Sequence, residues 1–181
     1  MRNIQKLSRI LKYGFYMGAV FNVVFPFLSF TNKSLIKMLY LSSNPHLVLP
    51  VGVEKYLTFS LSHKVLIGLS TLPANILYSI ALLSIAKLLT LYEKGVYFSE
   101  ETAKRFSDIG KFFIFSVIIS FPQEALFTAA TTLQEPSGQR LIRLSASNHD
   151  FTAILFALMI ILVGWVMKEA NRLKRDQDLT V

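Results

Sequence analysis

Phe112-Phe-Ile-Phe-Ser-Val-Ile-Ile-Ser-Phe-Pro-Gln-Glu-Ala-Leu-Phe-Thr-Ala-Ala-Thr-Thr-Leu-Gln134 runs between Lys111 and Glu135 with one ionisable side chain, Glu124. A helix rises about 1.5 Å per residue, so roughly 20 apolar residues cross a hydrocarbon core of about 30 Å. This stretch is long enough to cross. Three others flank it. Residues 13–32, 65–86 and 151–167 carry no charge at all, and each is bounded by charged residues: Lys12 and Lys33, Lys64 and Lys87, Asp150 and Lys168. The chain therefore reads as an all-α membrane protein with four transmembrane helices in a bundle. The spans are expected at about 11–31, 65–89, 111–133 and 150–168, with outer loops at about 32–64 and 134–149. Residues 1–181 form one integral membrane domain, because no segment left between the spans reaches the size of an independent core.

Composition agrees: 52% of residues are hydrophobic and 15 are Phe. The net charge of +8 sits at the span ends rather than on a surface that could follow a duplex, so direct nucleic-acid binding is not expected. Four spans place both termini on one side. Thirteen Lys and Arg fall on that side, from Arg2 to Lys12, Lys87 to Lys111 and Lys168 to Arg175, against six on the other. By the positive-inside rule both termini are cytoplasmic, which implies a multi-pass protein of the bacterial cytoplasmic (inner) membrane. Span one is too long for a signal peptide and no small-x-small cleavage site follows it. The chain has no cysteine, which excludes disulfides and thiolate chemistry.

The loops differ in legibility. Leu47-Val-Leu-Pro-Val-Gly-Val, Tyr56-Leu-Thr-Phe-Ser-Leu and Arg140-Leu-Ile-Arg-Leu are rich in β-branched or other apolar residues. They suggest short strands that could pair into a small extracytoplasmic cap. Glu135-Pro-Ser-Gly reads as a turn. On the inner side Gly95 suits a helix stop, and Ser99 suits an N-cap followed by Glu100 and Glu101. Ala103, Phe106, Ile109 and Phe113 follow at helical spacing, so the third long helix starts before the membrane. The fourth continues beyond Lys168.

Within a bilayer the small and polar residues mark helix contacts. Gly14, Gly18, Asn22 and Pro26 share one face of span one, and Gly14-x-x-x-Gly18 predicts a close backbone approach. Span two carries Thr71, Asn75 and Ser79. Span three carries Ser116, Ser120, Glu124, Thr128 and Thr132 at i+4 spacing. Span four offers Ala153, Ala157 and Gly164. These faces predict a bundle closed along a polar seam. Pro26, Pro73 and Pro122 each free a carbonyl one turn earlier, which interior polar groups or water would satisfy. An ionised carboxylate at depth costs about 3 kcal/mol even on lenient insertion scales. Glu124 is therefore expected to face inward, protonated or bonded to Asn22, Asn75 or Gln123. It reads either as a polar clasp between helices or as a proton, cation or ligand site.

His46, His63 and His149 fall in the outer regions with Glu54 and Asp150 as conceivable co-ligands, but no pair shows i, i+4 spacing. No metal site and no cofactor is expected. Neither H-E-x-x-H, G-x-S-x-G nor a phosphate-binding glycine loop occurs, so no catalytic residues are assigned and the chain does not read as an enzyme.

Two stretches carry a family resemblance. Leu91-Tyr-Glu-Lys-Gly-Val-Tyr-Phe-Ser-Glu-Glu-Thr-Ala-Lys-Arg-Phe-Ser-Asp-Ile-Gly110 resembles a pattern of glycine, two residues, Phe-Ser/Thr and an Ala-Lys/Arg helix ending Ile-Gly. The tail Glu169 to Val181 is similar to an ending Glu-x-Asp-Leu-Thr-Val/Ile, with Asp176 here in place of the usual Glu. Together they resemble small bacterial four-span membrane proteins forming a domain family of unknown function, typified by a Bacillus protein. Members are often encoded beside small helix-turn-helix regulators. The resemblance thus implies a membrane component of a regulatory or sensing pair. Its cytoplasmic partner, a helix-turn-helix regulator or another protein, would bind a surface around Gly95, Phe98, Arg105, Arg172 and Asp178. The alternatives are a transporter or channel component using the Glu124 seam, which implies a homo-oligomer, and an accessory subunit docking through Gly14 and Gly18.

Overall fold

Each long helix begins or ends where the sequence supplies a reason. The computed structural model of the chain describes residues 2–28, 34, 51 and 53–178. Among these it has six helices: α1 (Arg2–Leu28), α2 (Val53–Thr58), α3 (Leu61–Ser70), α4 (Leu72–Glu93), α5 (Glu100–Thr131) and α6 (Asn148–Asp178). Four are long and apolar enough to cross a membrane: α1, α4, α5 and α6. By helix length and composition this is a small multi-span membrane protein.

Ser99 starts α5 by accepting a hydrogen bond from the Thr102 N–H at 3.1 Å, so one of the helix's orphan donors is satisfied. Glu100 and Glu101 occupy the first turn, where the helix dipole favours negative charge. At the other boundary Gly95 takes φ +80°. The Val96 N–H reaches Leu91 O at 2.9 Å and the Gly95 N–H reaches Tyr92 O at 3.0 Å, which closes α4 in a Schellman motif.

The second crossing is interrupted. Pro73 lacks an N–H and clashes with a helical carbonyl four residues back, so the helix stops at Ser70 and restarts at Leu72. Residues 61–70, partly counted above within span two, form the separate helix α3.

The long helices lie in a row, each packed on its sequence neighbour: α1 on α4, α4 on α5, α5 on α6. Among the described residues α6 makes no comparable contact with α1, so the packing runs chiefly along the row rather than around a closed seam. The reason lies in where the small residues are. Gly110 and Gly164 serve the α5–α6 contact. A methyl placed on Gly110 would come 2.6 Å from Ala157 O, and one on Gly164 would come 2.9 Å from Ala103 O. Ala103 and Gly110 on α5, and Ala157 and Gly164 on α6, therefore form a reciprocal pair of small-residue contacts along antiparallel helices. Gly14 has nothing within 4 Å of its would-be Cβ, and Gly18 meets only Leu82 Cδ1 at 3.8 Å. Among the described residues the Gly14-Gly18 pair brings no second backbone close.

Antiparallel packing puts Arg2, Glu93, Glu100 and Asp178 at one end of the row, here the tail end. The opposite end holds α2, α3 and the segment 139–147, here the strap end. No strand occurs among the described residues, so the strand cap is not formed there; Leu47 to Pro50 lie outside them. Tyr56, Phe59, His63 and Ile67 are all buried, at i+3 and i+4 spacing along α2, the bend at Phe59 and α3. They pack with Val51, Phe127 and Ala130 into one cluster. Residues 140–144 instead run alongside α5 and pair with its side chains.

Candidate functional site

The polar stripe of α5 divides between three tasks. Ser116 and Ser120 turn back on their own helix, donating to Phe113 O and Val117 O at 2.7 Å each. Gln123 points at α4, where its Oε1 accepts the Ala74 N–H at 2.7 Å. Thr71 makes no side-chain cap there, so a neighbouring helix supplies the missing N-cap of α4.

Glu124, Thr128 and Thr132 face the segment 139–147. The Leu141 N–H donates to Thr132 Oγ1 at 3.0 Å, the Arg143 N–H to Thr128 Oγ1 at 3.0 Å, and the Ser145 N–H to Glu124 Oε2 at 2.9 Å. The Ser145 hydroxyl lies 2.8 Å from both Glu124 oxygens. The spacings explain the fit. Four helical residues rise about 6 Å, and two extended residues advance about 6.5 Å. A row of side chains at i+4 can therefore pair with alternate N–H groups of an extended chain. Residues 139–147 form a strap laid along α5. Gly138 at φ +97° and the Gln139 N–H to Pro136 O bond of 3.0 Å make the turn that sends the chain back.

Glu124 is 1% exposed. Among the described residues its carboxylate is bonded by Ser145 and not by Asn22, Asn75 or Gln123, contrary to the expectation from depth. Glu124 thus fixes a connection to a helix. No alternation in Arg140-Leu-Ile-Arg-Leu-Ser145 signals this pairing, because the segment bonds α5 through its backbone N–H groups.

Asn22 and Asn75 form a second, separate cluster. Asn22 Nδ2 donates to Asn75 O at 3.0 Å and to Ser79 Oγ at 3.1 Å, and Ser79 Oγ donates to Ala19 O at 3.0 Å. Asn75 Nδ2 reaches back 3.5 Å to Asn22 O, the carbonyl that Pro26 leaves without its helical donor. This cluster ties α1 to α4.

At the tail end Glu93 accepts from Arg9 Nε at 2.6 Å and from Lys12 Nζ at 2.5 Å. The bonds from Lys12 and then Arg9 hold the Glu93 carboxyl below its ordinary range. Arg105 pairs with Glu101 at 3.3 Å, while its Nε is buried without a partner. Arg172 pairs with Glu169 at 3.9 Å and remains exposed. Arg175 reaches Glu100 at 3.4 Å, so the end of α6 and the start of α5 meet. Phe98, between α4 and α5, is 74% exposed. Asp178 is the last described helical residue; Leu179 to Val181 lie outside the described residues.

The α5–α6 register adds a feature that hydropathy alone did not show. Gly164 lies against Ala103, Phe106 and Ser107. The apolar stretch of α6 is thus level with the charged opening turns of α5, Glu100 to Lys111. Leu162, Trp165 and Val166 are more than half exposed there.

Neither the curated proteins nor the solved structures yield a match. A family model described as "Protein of unknown function (DUF2975)" matches residues 45–181, from before α2 to the end of the chain. That match covers well over half of the sequence, and the chain belongs to this family of uncharacterised proteins.

Proposed function

We propose that this protein is a non-enzymatic, multi-pass component of the bacterial cytoplasmic membrane, part of a regulatory or sensing pair. Its tail end, with both termini, faces the cytoplasm and binds a protein partner. The observation that carries this reading is the stagger of α5 and α6. It leaves Leu162, Trp165 and Val166 exposed beside the charged turns Glu100 to Lys111, where lipid can match one helix and not both. Phe98 adds an exposed aromatic ring at the same end. Aromatic side chains bordered by arginines are the residue types on which protein interfaces draw most of their energy. The thirteen basic residues at this end support the cytoplasmic assignment.

The partner class follows from the family resemblance: a small helix-turn-helix regulator encoded nearby. The test is co-purification of that regulator with the tagged chain from gently solubilised membranes. Wild type should capture it, while Phe98→Ala and a chain lacking Asp178 to Val181 should not, with insertion unchanged. Capture that survives both changes would remove the docking role of this end.

A further inference from the structure

The strap has two edges, and only one is used by the fold. The N–H groups of Leu141, Arg143 and Ser145 face α5. Those of Ile142 and Leu144 alternate with them, and among the described residues they make no hydrogen bond. Both side chains stand outward, 74% and 67% exposed. Arg143 is exposed and makes no ion pair among the described residues. Arg140 is exposed as well, with its Nε on Glu135 O at 3.2 Å and the rest of its guanidinium open.

Depth gives this edge its meaning. The apolar run of α5 begins at Phe112, and roughly 20 residues fill a hydrocarbon core, so the core ends near Thr132. The strap lies beside Glu124 to Thr132. It therefore starts at the boundary between acyl chains and headgroups, with Arg140 and Leu141 level with it, and runs inward from there. Open backbone donors are not tolerated against hydrocarbon, and two arginines there require anions. A strap from a second copy would supply backbone acceptors but would bring its own Arg140 and Arg143 against these, which charge opposes. A phosphodiester meets every requirement. Its oxygens accept from the free N–H groups and from both guanidinium forks, and its acyl chains cover Ile142 and Leu144.

We infer that the outer edge of the strap binds the phosphate headgroup of an anionic phospholipid in the leaflet at that end of the protein. An anionic lipid is favoured because a zwitterionic one carries its own ammonium beside the phosphate. The inference rests on the membrane-spanning helices and not on partner docking at the tail end, so each can fail without the other.

The chain has no cysteine, so Ile142→Cys gives a single labelling site on the exposed edge. The full-length variant carrying an environment-sensitive thiol dye is placed in nanodiscs of phosphatidylcholine with increasing phosphatidylglycerol. A saturable blue shift with phosphatidylglycerol is expected. Adding Arg140→Gln and Arg143→Gln should raise the half-saturating fraction about tenfold or more, since each basic group near a charged surface counts. Arg143→Lys should fall between, because it keeps charge and loses the fork. An equal shift in the double Gln variant, or none in the parent, would overturn the assignment. A shift produced by inorganic phosphate in phosphatidylcholine discs would overturn the lipid and leave a free-phosphate site.

Discussion

Gly110→Ala tests the α5–α6 contact at its tightest point. The added methyl would lie 2.4 Å from Ile161 Cγ1 and 2.6 Å from Ala157 O. Carbon and carbonyl oxygen rest at about 3.3 Å or more, close to the 3.5–4.0 Å optimum of apolar contacts, so the shortfall is most of an ångström. Ile161 can change rotamer, but Ala157 O is backbone and moves only if α6 moves. Overpacking of this kind costs about 1–3 kcal/mol, and alanine's better helix propensity returns at most about 1 kcal/mol. A net loss of about 1–2 kcal/mol is expected. Trp165 is the only tryptophan and adjoins Gly164, so its fluorescence follows the surroundings of this stretch of α6 during a denaturing-detergent titration. Gly14→Ala is the control, since nothing lies within 4 Å of its added methyl. It should stay within about 0.5 kcal/mol of wild type. Equal stability of the two variants would refute the close approach, and so would full relief of Gly110→Ala by Ile161→Ala, because the carbonyl clash should remain.

The strap gives a graded pair. Glu124→Gln keeps an acceptor for the Ser145 N–H and should cost under about 1 kcal/mol, while Glu124→Leu strands that donor and the hydroxyl and should cost about 2–4 kcal/mol. Trypsin should cut at Arg140 and Arg143 faster in the Leu variant alone. Gly95→Ala should lose about 1 kcal/mol, because φ +80° is left-handed backbone; an unchanged melting temperature would deny the helix stop. The Glu93 clasp sets a pH dependence. Its folded-state value lies below the ordinary 4.5, so its contribution is full above that value and lost as pH falls through the folded value. Glu93→Gln should flatten the stability profile on that acid limb, and a profile that keeps its slope would remove Glu93 as the cause.

The spans were legible because three uncharged runs and a fourth interrupted only by Glu124 are long enough to cross a bilayer, and the boundaries at Gly95 and Ser99 because both are set by local chemistry. The strap end was misread for a physical reason. Val53, Tyr56, Leu57 and Phe59 have strand-like composition, yet Tyr56, Phe59, His63 and Ile67 already carried the helical period, and burial followed the period. The Gly14-x-x-x-Gly18 pattern drew attention to α1, whereas the close approach uses heptad-spaced Ala103, Gly110, Ala157 and Gly164. The α5 stripe looked like one seam because i+4 spacing reports a shared face and not what covers it. Ser116 and Ser120 bond their own helix, and Glu124 bonds a connecting segment whose backbone no side-chain pattern announces. The joining of Asn75 to the carbonyl freed by Pro26 needed both helices in place.

The proposed function needs four crossings with the tail end inside the cell, and reporter fusions at four positions measure both together. Fusions after Lys94 and after Val181 should report cytoplasm, and fusions near Lys55 and Gly138 should report the outside. A cytoplasmic signal at Gly138 would contradict the crossings of α5 and α6, and with them the account of the strap, the stagger and the docking end.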